Sequence, residues 1–490
     1  MTPPQEFRER LPDLLDERAP QRAPEGLFDR FAERMDDAPQ RPGWATSERW
    51  FPMTERIHLD QARRMAVMVG AILLLALALV ATFALGSRLL ASADTIVVAA
   101  DGSGDVETIG AGVALAGDGD EILVRPGTYV EAVTIARDVD VRGDGPIESI
   151  VIRTTEDGPS AQIGALAGRP VADQRYAILI LDADATVTGL TFSGQPSAVV
   201  AIGGAPSITG NHFEAVGRRQ DYEGPGEQIE EVVVGINAIA VGGGSRATIR
   251  GNRVVDSGPI ASYDLSEPLI EGNELTGGAH ILGGFGDETE IRDNHVEWAS
   301  FGIESRGDAA PLIEDNAIVE VGYPIHAEQG AAVIRGNHSE HGSSSATGIR
   351  SDGGSGTIAD NVVNGYARSV VATDFDGTIS SNVIDSGFEA VSLTDSTGTI
   401  SDNLVTAVFT GIALSGSSPE VIDNRIEGSV TGVSIAGPRS DPTFSGNELC
   451  GTTRAVATSD GAPEPDLSGL GDCTEASAGG TPETDAVAGG

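Results

Sequence analysis

This sequence predicts an all-β fold, a parallel β-helix solenoid preceded by one transmembrane helix, and three observations carry that prediction. An uncharged apolar run of 21 residues stands near the N-terminus; asparagine recurs every 21 to 24 residues through the second half; and 64 glycines accompany only 4% aromatic residues in a chain of 490. Such a composition suits many short strands and tight turns around a narrow core better than a bulky globular interior.

The apolar run is Met65 to Leu85, MAVMVGAILLLALALVATFAL. As a helix it measures about 30 Å, the hydrocarbon thickness of a bilayer. Arg56, Arg63 and Arg64 precede it and Arg88 stands alone after it, so the excess of cations places the N-terminus in the cytoplasm and the rest of the chain outside. The span is assigned to 65–90. Ala91-Ser92-Ala93 resembles a signal-peptidase site, but a charged leader of 64 residues and an apolar run this long both exceed an ordinary cleaved signal. Residues 1–64 form a proline-rich cytoplasmic segment with 11 Arg, 13 acidic residues and no compact core.

The formal net charge is −42, lysine is absent, and beyond Arg88 there are 19 Arg against 60 acidic residues. A surface this acidic repels phosphate backbones, so nucleic acid is not a partner.

The repeat justifies the solenoid. Asparagines stand at positions 252, 273, 294, 316, 337, 361, 382, 403, 424 and 447, and three residues before them come Ile249, Ile270, Ile291, Ile313, Ile334, Ile358, Ile379, Ile400, Val421 and Phe444. A second apolar position follows, often after glycine, as in Gly302-Ile303 and Gly348-Ile349. Each unit is too short for a helix and too apolar on one side to stand alone, so it must stack on its neighbours. Asparagine is expected in the turn because it tolerates left-handed backbone angles and its amide can reach the equivalent amide one coil away, about 4.8 Å along the axis. The 41 residues from Asn211 to Asn252 predict one coil with an extra loop, roughly Gly217 to Glu231.

On these motifs, residues 94–455 resemble the right-handed parallel β-helix proteins of the pectin lyase-like superfamily. The opening segment, Thr95 to Ile135, is similar to the start of pectinesterases. The resemblance implies a right-handed coil with an N-terminal helical cap over Val106 to Ala116. It implies no single activity, because this architecture carries lyases, hydrolases, esterases, adhesins and accessory proteins. The superfamily's paired aspartates and arginine-isoleucine-lysine motif do not occur here. Residues 456–490, rich in Ala, Gly, Ser, Thr, Pro and acid, read as a disordered tail, with Cys450 and Cys473 able to form one disulfide outside the cell.

Aligning coils on the asparagines stacks outward positions into columns. Two residues before each asparagine, Arg250, Glu271, Arg292, Glu314 and Arg335 alternate in sign and read as a surface ion-pair ladder. A second column set, Glu304 with Arg306, His326 with Glu328 and Arg350 with Asp352, gathers six ionisable groups on three successive coils. This is the candidate binding site, with His326, Glu328 and Arg350 as catalytic candidates for acid/base chemistry on an acidic sugar. A second ion-pair ladder is the plainer reading. The His-x-Glu pairs at His212, His295 and His338 are separated by coils without histidine, which argues against a metal site. Asp101, Asp105, Asp118 and Asp120 could bind Ca2+, although turn chemistry accounts for them. No other cofactor is expected.

The sequence therefore predicts a single-pass envelope protein that binds polysaccharide or serves a structural role. The alternatives are a lyase or hydrolase of uronic-acid polymers, and an accessory protein for enzyme maturation.

Overall fold

A computed structural model describes residues 93–473 except 155–157, 167, 171–172, 195–196, 218–236, 287, 341–345 and 408. The predicted cytoplasmic segment, the apolar run at 65–90, most of the Gly217–Glu231 loop and the tail beyond Cys473 lie outside the described residues. Among the described residues no helix is long and apolar enough to cross a membrane.

One coil illustrates the rest. Leu312–Glu314 belongs to a 15-stranded sheet; Asn316 turns the chain; Ala317–Val319 and Tyr323–Glu328 join a second, 27-stranded sheet; and Val333–Arg335 returns to the first. All neighbouring coils pair in parallel. The isoleucines before the asparagines become direct register partners, from Ile249 through Ile270, Ile291, Ile313, Ile334, Ile358, Ile379 and Ile400 to Val421. Each is buried, and withdrawing such a side chain from water contributes about 1.5–3 kcal/mol.

The asparagines form one continuous ladder. From Asn211 to Asn424, the backbone N–H and the Nδ2 of each asparagine donate to Oδ1 of the next, at 2.9–3.2 Å. The expected left-handed angle, however, falls one residue earlier, at Asp293, Asp315, Asp360, Ser381, Asp402 and Asp423 or at a glycine such as Gly336. The bend must be complete before the asparagine for its amide to turn into the stack. At Gly336 a Cβ would meet Asp315 Oδ1 at 2.2 Å. The glycines before the second apolar position answer to a different restriction: a Cβ at Gly302 or Gly348 would lie 2.4 or 2.3 Å from the carbonyl oxygen of Pro324 or Ser369 on the next coil.

The 41-residue unit is a single coil. His212–Glu214 pairs with Arg253–Val255 and Val199–Ile202 with Ile239–Gly242, so the extra length lies between Glu214 and Ile239. Near the start of the array the helix Ile109–Leu115 begins at Thr108, whose Oγ1 accepts from Ala111 N–H, and buries Ile109 and Val113 in the core. Both oxygens of Glu131 accept from its first two N–H groups, at 2.8 and 2.9 Å, a favourable place for a carboxylate.

Two features depart from expectation. The β-helix does not stop at residue 455: Arg454–Ser459 pairs with Thr431–Ala436, and Leu470–Asp472 with Asn447–Leu449. Val456 and Leu470 still pack against the core there, so an apolar position sustains a coil that has lost its asparagine. A disulfide joins Cys450 to Cys473, with Cα atoms 5.2 Å apart. The second feature is an excursion over residues 158–176, which the repeat does not foretell. Its short antiparallel ribbons bring Ile163, Leu166 and Tyr176 onto the outward residues Leu179, Val200, Ala240 and Ala261, giving a small second core with Tyr263.

Candidate functional site

The outward column under the excursion continues into the charged patch. Ala261 pairs with Leu282, Leu282 with Glu304, Glu304 with His326, His326 with Arg350 and Arg350 with Val371. A parallel column sets Glu328 beside Asp352. The stacking inferred from asparagine spacing thus brings the predicted residues onto three adjacent strands, Phe301–Ser305, Tyr323–Glu328 and Thr347–Asp352, with Arg306 one residue past the first.

Within the patch the charges are spent on one another. His326 Nε2 lies 3.1 Å from Asp352 Oδ2, and its Nδ1 3.9 Å from Glu304 Oε1. Arg306 Nη2 donates to Glu304 at 3.3 Å and Arg350 Nε to Asp352 at 2.6 Å. Glu304 is only 5% exposed; Glu328 is half-buried and faces His326 through space. Burial opposes charge on His326, but the hydrogen bonds to Asp352 and Glu304 and the negative charges of Asp352 and Glu328 outweigh it and push the imidazole up to about 9. Burial likewise opposes ionisation of Glu304 and Asp352, and their bonds to His326 and the arginines still hold both carboxyls below the usual range. At neutral pH the set is three cations against three anions, and His326 holds a proton it does not readily release.

That ion pairing has a pH signature. Because the folded pKa of His326 lies above its unfolded value of about 6.5, its stabilisation is fully present below pH 6.5 and lost as pH rises through about 9. His326→Gln should therefore be less stable than the parent by roughly 2–3 kcal/mol at pH 6, with the gap closing by pH 10 in paired urea titrations. A gap that does not change with pH would mean that the ring is neutral.

The other candidates resolve more simply. Arg250 meets Glu271 at 2.5 Å and Arg335 meets Glu314 at 2.6 Å, while Arg292 reaches Glu271 at 3.6 Å. At this exposure such pairs contribute little, because solvent screens them. His295 and His338 approach only their own Glu297 and Glu340, at 3.9 Å, and Ala317 stands between the two histidines in the stack. Asp101 and Asp120 accept from the nearby N–H groups of Ser103 and Gly117, while Asp105 and Asp120 also accept from Val97 and Asp94 farther along the chain. Among the described residues one group of three metal-ligand types lies close together, Glu448 with Cys450 and Cys473, and both of its sulfurs are in the disulfide.

Sequence reasoning missed a cavity of about 620 Å³ where the excursion meets the wall beside Arg306. Apart from Arg306, its lining residues lie outside the columns that the period sets, so the spacing does not point to it.

The array and its stacked outward wall are those of a right-handed parallel β-helix. Residues 234–374 match the family model described as "Right handed beta helix region", and residues 329–464 the model described as "Periplasmic copper-binding protein (NosD)". No curated protein matches the chain. Among solved structures, an alginate lyase from Paenibacillus sp. str. FPU-7 is 14% identical over 63% of this chain and 94% of its own, with a TM-score of 0.32. A Family 28 exopolygalacturonase from Yersinia enterocolitica is 11% identical over 78% of each chain, TM-score 0.37. The DFA-IIIase from Arthrobacter chlorophenolicus A6, without its lid, is 16% identical over 78% of this chain and 99% of its own, TM-score 0.37. Likenesses at this level say nothing about the chemistry of this chain.

Proposed function

We propose that this protein is an extracytoplasmic β-helix, held to the membrane by the run at 65–90 and closed at its first coil by the Ile109–Leu115 helix, that binds envelope polysaccharide on the side of the array that carries Glu304, Arg306, His326, Glu328, Arg350 and Asp352, without cleaving it. One observation carries the non-catalytic reading: both ring nitrogens of His326 face carboxylates that keep it protonated, so the imidazole is not available as a base near neutrality. The full chain on an array of acidic and neutral envelope glycans should bind at least one class; binding to none would remove the ligand from this reading. The competing lyase or hydrolase makes an opposite forecast. Uronic-acid polymer turnover that vanishes when His326, Glu328 and Arg350 are all changed to Ala would replace binding with catalysis, and the expected result is no turnover in the parent protein.

A second reading has its own support. The match of residues 329–464 to a model described as a periplasmic copper-binding protein favours an accessory role in maturing an envelope enzyme. Genes adjacent to this one that encode such an enzyme would favour it; neighbours devoted to glycan synthesis or export would favour the first.

A further inference from the structure

The wall of paired charges has little left to offer a ligand, and the cavity beside it does. The excursion is fastened there: Asp264 N–H donates to Ala165 O at 2.7 Å. A Cβ at Gly164 would lie 2.6 Å from that of Asp264. On the rim, Asp264 and Leu265 are consecutive non-glycine residues with left-handed angles, φ 56 and 52, a strain that persists only where surrounding structure imposes it. The floor and rim include Ala165, Ala309 and Leu265, the last 67% exposed.

The charges around this cavity differ from those of the wall. Arg306 lines it with its guanidinium committed to Glu304, and its Nε–H is buried with no acceptor. Glu267 is neutralised by Arg246 at 2.7 Å. Asp264 and Asp308 are exposed and make no ion pair among the described residues. The uncompensated charge is therefore negative. A uronate would bring its carboxylate against two others, whereas a sugar hydroxyl can donate to Asp264 or Asp308 and accept from Arg306. Its C–H face can meanwhile cover the alanines and Leu265. A volume of about 620 Å³ lies within the range of about 300–1,000 Å³ for ligand clefts.

We infer that this cleft, built by the excursion, Asp264, Leu265, Arg306 and Asp308, is the glycan seat, and that it takes an uncharged oligosaccharide and rejects a uronate one. The inference rests on the polysaccharide-binding reading and specifies where and what it binds. The test is calorimetric titration of the full chain with neutral tetrasaccharides of the gluco, galacto, manno and arabino series, against tetragalacturonate and tetramannuronate. A neutral tetramer should bind; Asp308→Arg, a change on an exposed loop, and Ala165→Trp, which fills the cleft, should each weaken it by about tenfold or more. The surface-ladder variant Arg335→Ala should not. Preference for a uronate, or neutral binding that survives both cleft variants, overturns the inference. If binding instead follows Ala substitution of His326 and Arg350 alone, the wall is the seat and the function stands without this site. If no tetramer and no longer envelope glycan binds, the function falls and the inference with it.

Discussion

Replacing Asn316 with alanine should destabilise the β-helix by roughly 3–5 kcal/mol, the largest effect expected from any change remote from the candidate site. Oδ1 of Asn316 accepts from the N–H and Nδ2 of Asn294, and its own Nδ2 donates to Asn337 Oδ1 and the carbonyls of Ile291 and Glu314. All of these lie where water does not reach, since the ladder asparagines are buried. Alanine removes the bonds and leaves Asn294 N–H without a partner; the desolvation cost then remains with nothing to offset it. Urea unfolding measured beside Arg335→Ala, which removes only an exposed pair, gives the scale. If Asn316→Ala shifted the midpoint no further than that control, the ladder would be decoration, and coil stacking would rest on the isoleucines alone.

Glu304→Ala should cost a similar amount, roughly 3–5 kcal/mol, because it strands buried cations instead of removing a balanced pair. Glu304 is the acceptor for Arg306 and one of the two carboxylates within 4 Å of the His326 ring nitrogens. Without it, Arg306 loses its partner and His326 keeps only Asp352 within ion-pair distance, in a site too enclosed for water to screen them. The imidazole should respond directly. Its pKa, held up to about 9, should fall by a unit or more in an NMR titration of the ring protons, since Asp352 and the more distant charge of Glu328 would be left to oppose burial. Glu304→Gln, which keeps an acceptor, should lose less stability while lowering the pKa in the same direction. A His326 titration indifferent to either change would show that Asp352 alone holds the proton, and the six-residue patch would divide into two separate pairs.

Much of this was legible in the sequence because a solenoid repeats its physics at fixed spacing. Ile313 three residues before Asn316 means the same as Ile334 before Asn337: one points into the core, the other closes the turn, and every coil repeats the demand. Stacking the coils in register follows from that period, and with it the adjacency of Glu304, His326 and Arg350. The last coil was missed because Val456 and Leu470 keep the apolar position without its asparagine, and the displaced left-handed residue was missed because Asp and Gly alternate there without changing the spacing.

What period and residue type determined by themselves was the coil, its core column, its asparagine turn and which outward letters become neighbours. Tertiary structure alone decided how those neighbours share charge, and where a cleft opens. Protonation depends on distances such as the 3.1 Å between His326 and Asp352 and on the burial of Glu304, neither of which has a period. The cleft exists because the segment that carries Ile163, Leu166 and Tyr176 folds back over coils that follow it in the chain, so its walls meet only after the array has stacked.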